Sequence, residues 1–456
     1  MLGCGVSPMA IADADIAGMG TRCGKSVLAS RSRRCSSRHL FLLLVMLALL
    51  AFCIPLRAYA VESPSTSGGS TNRTDAALEA CLNGLLEGFG MSDAASLYAS
   101  DMMDVKDGLS AWIAFDMYRA GLTDGAEAYR ARSEEHVTKS YAGADAGLDS
   151  RAPTTWARTA IVAKTLGADP TAFGKASDGK PANLLSDGLY NWAYTDSLGT
   201  QGSNAYIFAL QAIDSCGVKV PSDAAYSTQD MIDGLLACQA EEGSFALSPG
   251  STTGSVDLTG MALAALSAHA SDPAVADSIK LAISYLATQQ LDTGGFAAEG
   301  EETSETCAMV IIGLVACGVD PVSDTRFIKN GRTMVDALLS FQKENGTFGH
   351  SAKDVAITKV QGLPTEQALR ALLAIDDAAQ GGDGNVYTAD VALAIPGVST
   401  RADSAVGAQS GNGSSLAHDW GIRLKWMGVG VAAALVVIAL IWVARKVHRN
   451  RRRVRG

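Results

Sequence analysis

The chain has 456 residues, 6% of them aromatic, and a formal net charge of −10 at pH 7. The charge is stronger in the middle, because removing residues 1–60 and 425–456 leaves 22 basic and 45 acidic residues, a net charge of −23. Such a surface repels nucleic acid and anionic lipid, so no nucleic-acid partner is expected.

Residues 1–60 are predicted to be a leader that ends in a secretory signal peptide. Four arginines precede an apolar run over residues 40–54, and Ala58 and Ala60 offer the small side chains of a cleavage site. Residues 61–74 are predicted to be a linker. The main domain is therefore expected to begin near residue 75.

Three segments in the middle of the chain repeat one pattern of leucine, glutamine, glycine and phenylalanine at fixed spacing. The glutamines are 51 and 52 residues apart, so a unit of about fifty residues recurs. Glycine lets the chain leave a helix at positive φ, and the glutamine amide can bind carbonyl groups at the helix end. The residues of this structural repeat are Gln239, Gly243, Phe245, Gln290, Gly294, Phe296, Gln342, Gly346 and Phe348.

Alanine-rich apolar runs follow these turns and predict a second set of helices. Acidic residues open three of the runs, where they satisfy free amide groups and match the helix dipole. Weaker relatives open three more, and the spacings between the six starts are 44, 48, 53, 48 and 61 residues. The six starts are Trp112, Trp156, Asn204, Asp257, Glu305 and Glu366.

The two features together predict six helical hairpins over residues 75–390. Small side chains let one helix of each hairpin crowd against its neighbours, so these helices should form an inner ring. Six hairpins can close on themselves and bury one continuous core. The expected fold is therefore all-α, an α6/α6 toroid or closed barrel of helical hairpins. An open superhelical solenoid is the alternative, and no alternating pattern predicts a substantial sheet.

The end of the chain is predicted to anchor the protein in a membrane. Residues 391–424 have the composition of a flexible linker. Residues 425–445 are long and apolar enough to span a bilayer as a helix, and the basic cytoplasmic tail 446–456 fixes its orientation. The chain contains no Leu-Pro-x-Thr-Gly sequence, so a sortase signal is not predicted. We therefore expect a single-pass protein of the cell membrane whose bulk is extracellular.

Five cysteines remain outside the leader, and buried free thiols are expected. Their number is odd and most lie in apolar helical stretches, which argues against a disulfide framework. Oxidation of one pair outside the cell stays open as an alternative. These cysteines are Cys81, Cys216, Cys238, Cys307 and Cys317.

The glutamine–glycine–aromatic turns resemble the repeat motif of squalene–hopene cyclases and other terpene cyclases. Residues 202–214, 256–259 and 365–369 resemble bacterial cell-surface proteins with prenyltransferase/squalene-oxidase-type repeats. Those proteins are in turn similar to the helical domain of the transcobalamin and intrinsic-factor group. The resemblance covers residues 75–390 and implies the α/α-toroid fold, whereas one fold hosts unrelated functions.

The resemblance to cyclases implies an acid at Asp257, which matches the middle aspartate of their Asp-x-Asp-Asp-Thr-Ala motif. Both flanking aspartates are replaced here, by Ser255 and Leu258. A protonating carboxyl needs neighbours that keep it neutral, and the low aromatic content suits carbocation chemistry poorly. We therefore assign no catalytic residue, and Asp257 stays as the acid of an alternative, enzymatic function of the cyclase or prenyltransferase type.

The resemblance to protein prenyltransferases implies a zinc site built from Asp-x-Cys and a distant histidine. Glu305-Thr306-Cys307 imitates the first half, but no histidine lies near residues 365–367. His350 stands in the preceding turn, and two ligands do not make a zinc site. No metal is therefore expected.

Ligand binding is the function that the sequence favours. The starts of six parallel inner helices converge on one rim, where their side chains line a concave mouth. The likeness to the transcobalamin group makes a corrinoid or cobalamin-like molecule one candidate, with an unidentified small molecule or another surface protein as alternatives. A surface adhesin or scaffold that uses the outer helices is the other alternative. The predicted ligand-binding residues are Trp112, Trp156, Asn204, Tyr206, Asp257, Glu305 and Glu366.

Overall fold

The computed structural model describes residues 68–143, 147–355 and 359–388, with side chains from residue 73 onwards. These residues are mostly helical, and their one sheet has two strands of two residues each. The protein is thus all-α in this part, as the sequence predicts. Among the helices described, none is both long and apolar enough to cross a bilayer.

Four predicted segments lie outside the described residues. They are the leader at 1–60, the linker at 391–424, the transmembrane helix at 425–445 and the basic tail at 446–456. The first described helix begins at Gly68, inside the range that the sequence predicts as linker.

Twelve α-helices, one β-hairpin and five short 3-10 or π-helical turns make up the regular structure of the described residues. The strands β1 (Ala297–Ala298) and β2 (Glu301–Glu302) pair in antiparallel register. The helices are α1 (Gly68–Gly88), α2 (Ala94–Ala99), α3 (Gly108–Arg119), α4 (Ala126–Tyr141), α5 (Pro153–Thr165), α6 (Ser203–Cys216), α7 (Thr228–Leu236), α8 (Val256–Leu266), α9 (Pro273–Gln289), α10 (Ser304–Ala316), α11 (Met334–Leu339) and α12 (Gly362–Ala379).

Six inner helices, α3, α5, α6, α8, α10 and α12, pack against one another in chain order. The last of them, α12, also packs against the first, α3, so the series of contacts returns to its start. Gly260 and Gly313 let α8 and α10 approach closely, because a Cβ at either position would collide with backbone of the other helix. The inner helices thereby enclose one continuous hydrophobic core.

Five of the remaining helices each pack against one helix of this inner set. α1 contacts α12, α4 contacts α3, α7 contacts α6, α9 contacts α8, and α11 contacts α10. Arg73 of α1 donates to Asp336 of α11 at 2.9 Å. This ion pair joins α1 to α11 at a residue that the sequence predicts as linker.

Each repeat glutamine joins two neighbouring hairpins. Its side-chain amide donates to the carbonyl of the repeat glycine in its own turn, at 2.8 to 3.1 Å. The same nitrogen also donates to one carbonyl of the next hairpin. Those second acceptors are Ser278 for Gln239 at 3.0 Å, Phe327 for Gln290 at 2.8 Å, and Ala77 for Gln342 at 2.9 Å.

Each repeat phenylalanine is tied to the first turn of the following inner helix. A threonine hydroxyl accepts from the backbone N–H of Phe245 at 2.9 Å and of Phe348 at 3.1 Å. The thiol of Cys307 takes the same place towards Phe296, at 3.4 Å. All three rings are fully buried, so the turns belong to the core.

The segment after α12 crosses to the ends of other inner helices. Asn385 donates from its side chain to the Ala264 carbonyl of α8 at 3.1 Å. Tyr387 is buried, and its ring contacts Trp112 and Phe115 of α3 with centroids 5.9 and 6.1 Å apart. This C-terminal strap, residues 380–388, therefore packs against the last turns of α8 and reaches the aromatic side chains of α3.

Candidate ligand-binding site

A cavity of about 940 Å³ lies among the first turns of the inner helices. Five of the six inner helices, α3, α6, α8, α10 and α12, contribute to its lining, and the β1–β2 hairpin forms one side of its mouth. The hairpin turns at Glu299 and Gly300, both at positive φ, as a two-residue connection requires. Cavities of about 300–1,000 Å³ are the usual size of small-molecule sites.

Helix caps fix the acidic side of the cavity. Ser255 accepts from the backbone N–H of Leu258 and thereby starts α8, while Thr303 accepts from Thr306 and starts α10. These caps place Asp257 and Glu305 in the first turns, as the sequence predicts for acids at a helix start. Both side chains line the cavity.

The structure brings four of the seven predicted ligand-binding residues together. Trp112, Asp257, Glu305 and Glu366 line the cavity, whereas Trp156, Asn204 and Tyr206 are not part of its lining.

Trp156 lies in a separate aromatic cluster. Its ring is fully buried against Tyr141 and Tyr194, with both centroids at 5.8 Å, and its indole nitrogen donates to the Asp149 carbonyl at 2.7 Å. The helix that carries it, α5, is the one inner helix that lends the cavity no side chain. Trp156 does lie at the start of an inner helix, as predicted, but Tyr141 and Tyr194 occupy the space beside its ring, so no cavity is left there.

Tyr206 points away from the cavity because of its position around α6. Its ring lies against Gly199 and Gly234, on the side that faces α7. Phe208, two residues further along the helix, lines the cavity instead. Residues two apart in a helix point about 200° apart, so one of the pair must face outwards. Asn204 is half-buried in the first turn of the same helix.

A buried ion pair underlies the cavity. The Arg370 guanidinium donates from Nε and Nη2 to the two carboxylate oxygens of Asp116, at 3.0 and 3.2 Å, and it also pairs with Glu366. Its charged plane lies 4.2 Å from the centre of the Trp112 ring. Burial raises the pKa of Asp116, whereas Arg370 and then Arg119 act to lower it. Removing one member of the pair would leave a buried charge uncompensated beneath the cavity, which is destabilising.

Sequence reasoning missed this pair, although it left a signal. Asp116 and Arg370 are charged residues that each stand between apolar neighbours in an inner helix, where a lone charge is costly. They are 254 residues apart, so only the return of α12 to α3 makes them neighbours.

Asp257 is a half-buried carboxyl with an unusual environment. Burial raises its pKa, a hydrogen bond from Thr306 opposes the rise, and the negative charge of Glu305 adds to it. Its Oδ1 atom is buried and has no hydrogen-bond partner among the described residues. Asp257 is therefore close to a second acid, Glu305, and forms no ion pair of its own among the described residues.

The mouth of the cavity carries a histidine–glutamate pair. His350 Nδ1 lies 3.0 Å from each carboxylate oxygen of Glu305, and this hydrogen bond raises the pKa of His350. Further out, Lys353 pairs with Glu301 at 3.2 Å. The sequence predicts His350 in a turn, and its contact with Glu305 places that turn at the mouth of the cavity.

The described residues contain no group of three or more His, Cys, Asp or Glu side chains that could hold a metal ion. Cys307, the cysteine of the zinc-like triplet, is buried and directed at the Phe296 turn. Burial raises the pKa of its thiol to about 12.

Comparison of the chain with protein-family models, curated proteins and solved structures gives no match. The site is defined by its geometry as a cavity that is open at one side, with aromatic rings, carboxylates and one paired guanidinium in its walls. Such a combination of apolar lining and a few oriented polar groups is typical of small-molecule sites.

Proposed function

We propose that the protein is a membrane-anchored, extracytoplasmic α6/α6 toroid that binds a small ligand in this cavity. The return of α12 to α3 and the bond from Gln342 to Ala77 support a closed toroid over an open solenoid. The signal-like leader and the apolar run at 425–445 support an anchored protein whose domain faces outwards.

The cavity itself is the observation that carries the proposal. Its walls are held by contacts within the protein, namely the caps of α8 and α10 and the pairing of Arg370 with Asp116. A site that is already ordered loses less freedom when a ligand binds. A corrinoid-like molecule is one candidate ligand, and it would need part of its surface covered by another chain.

Native mass spectrometry of the purified full-length protein, with cobalamin added as a trial ligand, tests the proposal. A cavity-filling change, Met309→Trp, is expected to abolish any mass shift, because Met309 lines the cavity. Met102→Trp is the matched control, since Met102 is an exposed methionine outside the cavity lining. Retention of the ligand by Met309→Trp would place the site elsewhere, and no retained mass with any candidate would favour the adhesin or scaffold function.

The environment of Asp257 favours a second candidate, an enzyme of the terpene cyclase or prenyltransferase type. Its pKa is raised, which favours the protonated form that a general acid needs, and aromatic rings line the same cavity. Against this, Ser255, which replaces a motif aspartate, is used as the cap of α8. Incubation with a polyprenoid substrate should yield a cyclised product with wild type and none with Asp257→Asn if this second function holds.

A further inference from the structure

The charges around the cavity are strongly unequal in sign. Five acidic side chains stand in its lining against two basic ones. The acids are Asp257, Glu299, Glu301, Glu305 and Glu366, and the bases are Arg370 and His350.

Both bases are already engaged by acids of the protein. Arg370 pairs with Asp116 in bidentate geometry and with Glu366, and His350 pairs with Glu305. Arg370 is also fully buried, with Trp112 covering its plane at 4.2 Å. Neither base is therefore left to attract an anionic ligand.

Two of the five acids, Asp257 and Glu299, form no ion pair among the described residues, and Asp257 is the half-buried one of the two. The Oδ1 atom of Asp257 has no hydrogen-bond donor there. Glu305 is near enough that its charge acts on the pKa of Asp257. Two carboxyl groups that repel each other at a cavity wall would both be stabilised by a positive group between them.

The rest of the lining suits the apolar body of a ligand. Trp112, Phe208 and Tyr285 present aromatic rings, and Met261 and Met309 present thioether side chains. Aromatic faces attract organic cations through the charge distribution of the ring, and methionine side chains adapt to irregular shapes.

We propose that the ligand of this cavity is an organic cation, with an apolar body against the aromatic and methionine side chains and an ammonium group between Asp257 and Glu305. This inference rests on the proposed function of the cavity as a ligand site. It excludes a carboxylate or phosphate as the group that enters between the two acids, because such a group would meet their repulsion without a free base.

Three probes of nearly equal shape separate charge from apolar contact. They are the ammonium form of 1-adamantanamine, neutral 1-adamantanol and 1-adamantanecarboxylate, each titrated calorimetrically into the full-length protein. The ammonium is expected to bind about ten times more tightly than the alcohol, and the carboxylate more weakly than either. Added salt should weaken the ammonium and leave the alcohol nearly unchanged.

Substitutions assign the preference to the two acids. Asp257→Asn and Glu305→Gln should each lower the affinity for the ammonium towards that of the alcohol, with little effect on the alcohol itself. Glu135→Gln is the matched control, because Glu135 is an exposed acid on the outer helix α4. Its affinities should equal those of wild type.

The outcomes distinguish this inference from the proposed function beneath it. Equal binding of ammonium, alcohol and carboxylate would overturn the charge preference and leave the cavity a ligand site. Binding of Ca²⁺ instead of the ammonium would assign the acids to a metal and overturn it as well. Failure of all three probes would also overturn it, while the mass measurement with Met309→Trp would still decide the proposed function.

Discussion

Trp112 and Trp156 hold equivalent places at the starts of two inner helices, yet their surroundings differ completely. Trp112 lines the cavity and stacks on Arg370 at 4.2 Å. Trp156 is sealed between Tyr141 and Tyr194, with centroids at 5.8 Å on both sides. The helical repeat positions a side chain, but it does not decide whether that side chain faces a cavity.

The chain that covers each helix start makes the difference. Gly147 and Gly188 lie directly against the rings of Tyr194 and Trp156, where even a Cβ would collide. They belong to the chain before α5 and to the long connection 166–202 after it. At the cavity, the β1–β2 hairpin and the turn that carries His350 lie at the mouth. The segments before and after α5 therefore fill the space around Trp156, whereas the segments around Trp112 leave a cavity.

The largest contrast is expected from truncating the two tryptophans. Trp156→Ala should lower the free energy of unfolding by about 3–5 kcal/mol, because it leaves a large hole in a fully packed cluster. Chemical denaturation followed by circular dichroism measures this change. Ligand binding at the cavity should be unaffected, apart from the lower stability.

Trp112→Ala should behave in the opposite way. It should cost less stability than Trp156→Ala and weaken binding, because Trp112 is part of the cavity wall. Equal losses of stability for the two variants would contradict the contrast between a sealed tryptophan and one that lines a cavity.

A smaller loss is expected at the floor of the cavity. Asp116→Asn keeps the shape of the side chain but removes the charge that balances Arg370. We expect a loss of about 2–3 kcal/mol in unfolding free energy, the range for a charged hydrogen bond left incomplete. Asp233→Asn, an exposed acid of the outer helix α7, is the control and should change little. If Asp116→Asn left the free energy of unfolding unchanged, the ion pair would not stabilise the floor of the cavity.

The repeat turns allow a finer comparison, between cysteine and threonine in one role. Cys307→Thr should change stability by less than about 1 kcal/mol, since a threonine hydroxyl accepts the same bond in the other two repeats. Cys307→Ala should cost about 1–2 kcal/mol, because the Phe296 amide loses its acceptor. Thermal and chemical unfolding of the two variants and of wild type measure these differences in stability. A Cys307→Thr as costly as Cys307→Ala would mean that the thiol has another role.

The smallest effect is expected at the mouth, from the pH dependence of stability. The hydrogen bond with Glu305 raises the pKa of His350 above its ordinary value of 6.5, so the folded protein binds the proton more tightly. The contribution is therefore full below about pH 6.5 and is lost as pH rises through the folded-state pKa. His350 is half exposed, so less than about 1 kcal/mol is at stake.

Denaturation of wild type and His350→Gln on both sides of this window isolates the contribution. The stability difference between the two proteins should shrink as the pH rises from about 5.5 to about 8.5. A difference that stays constant would mean that the pair at the mouth does not couple protonation to folding.

Local patterns were sufficient to predict the inner helices and most of the outer ones. The prediction of six complete hairpins was wrong at one place, because the connection 166–202 between α5 and α6 contains only a short π-helix and a 3-10 turn. Alanine-rich runs opened by Asp257 and Glu305 are inner helices, and the glutamine turns end outer ones, because caps and turns depend on residues near in sequence. Boundaries were less exact. α3 begins at Gly108, four residues before the predicted start at Trp112, because the side chain of Asp107 caps it.

The site was predicted less completely, for reasons that are three-dimensional. The choice of Tyr206 instead of Phe208 is an error of rotation about a helix, which apolar content alone does not fix. Arg370 and Tyr387 reach the cavity only through the packing of α12 and the strap on α3. Contacts between residues so distant in sequence leave no periodic pattern.

The bond from Gln342 to Ala77 gives the molecule a mechanical property that its helices alone do not predict. In a row of repeats the outermost units have one neighbour, so they fray first and unfolding proceeds inwards from an end. Here the last glutamine turn is bonded to the first helix, 265 residues away, in the same manner as the other two glutamine turns are bonded to the hairpins that follow them. A unit at either end of the chain can therefore separate only when its contacts with two neighbours break together. This favours one cooperative unfolding transition and slow spontaneous opening.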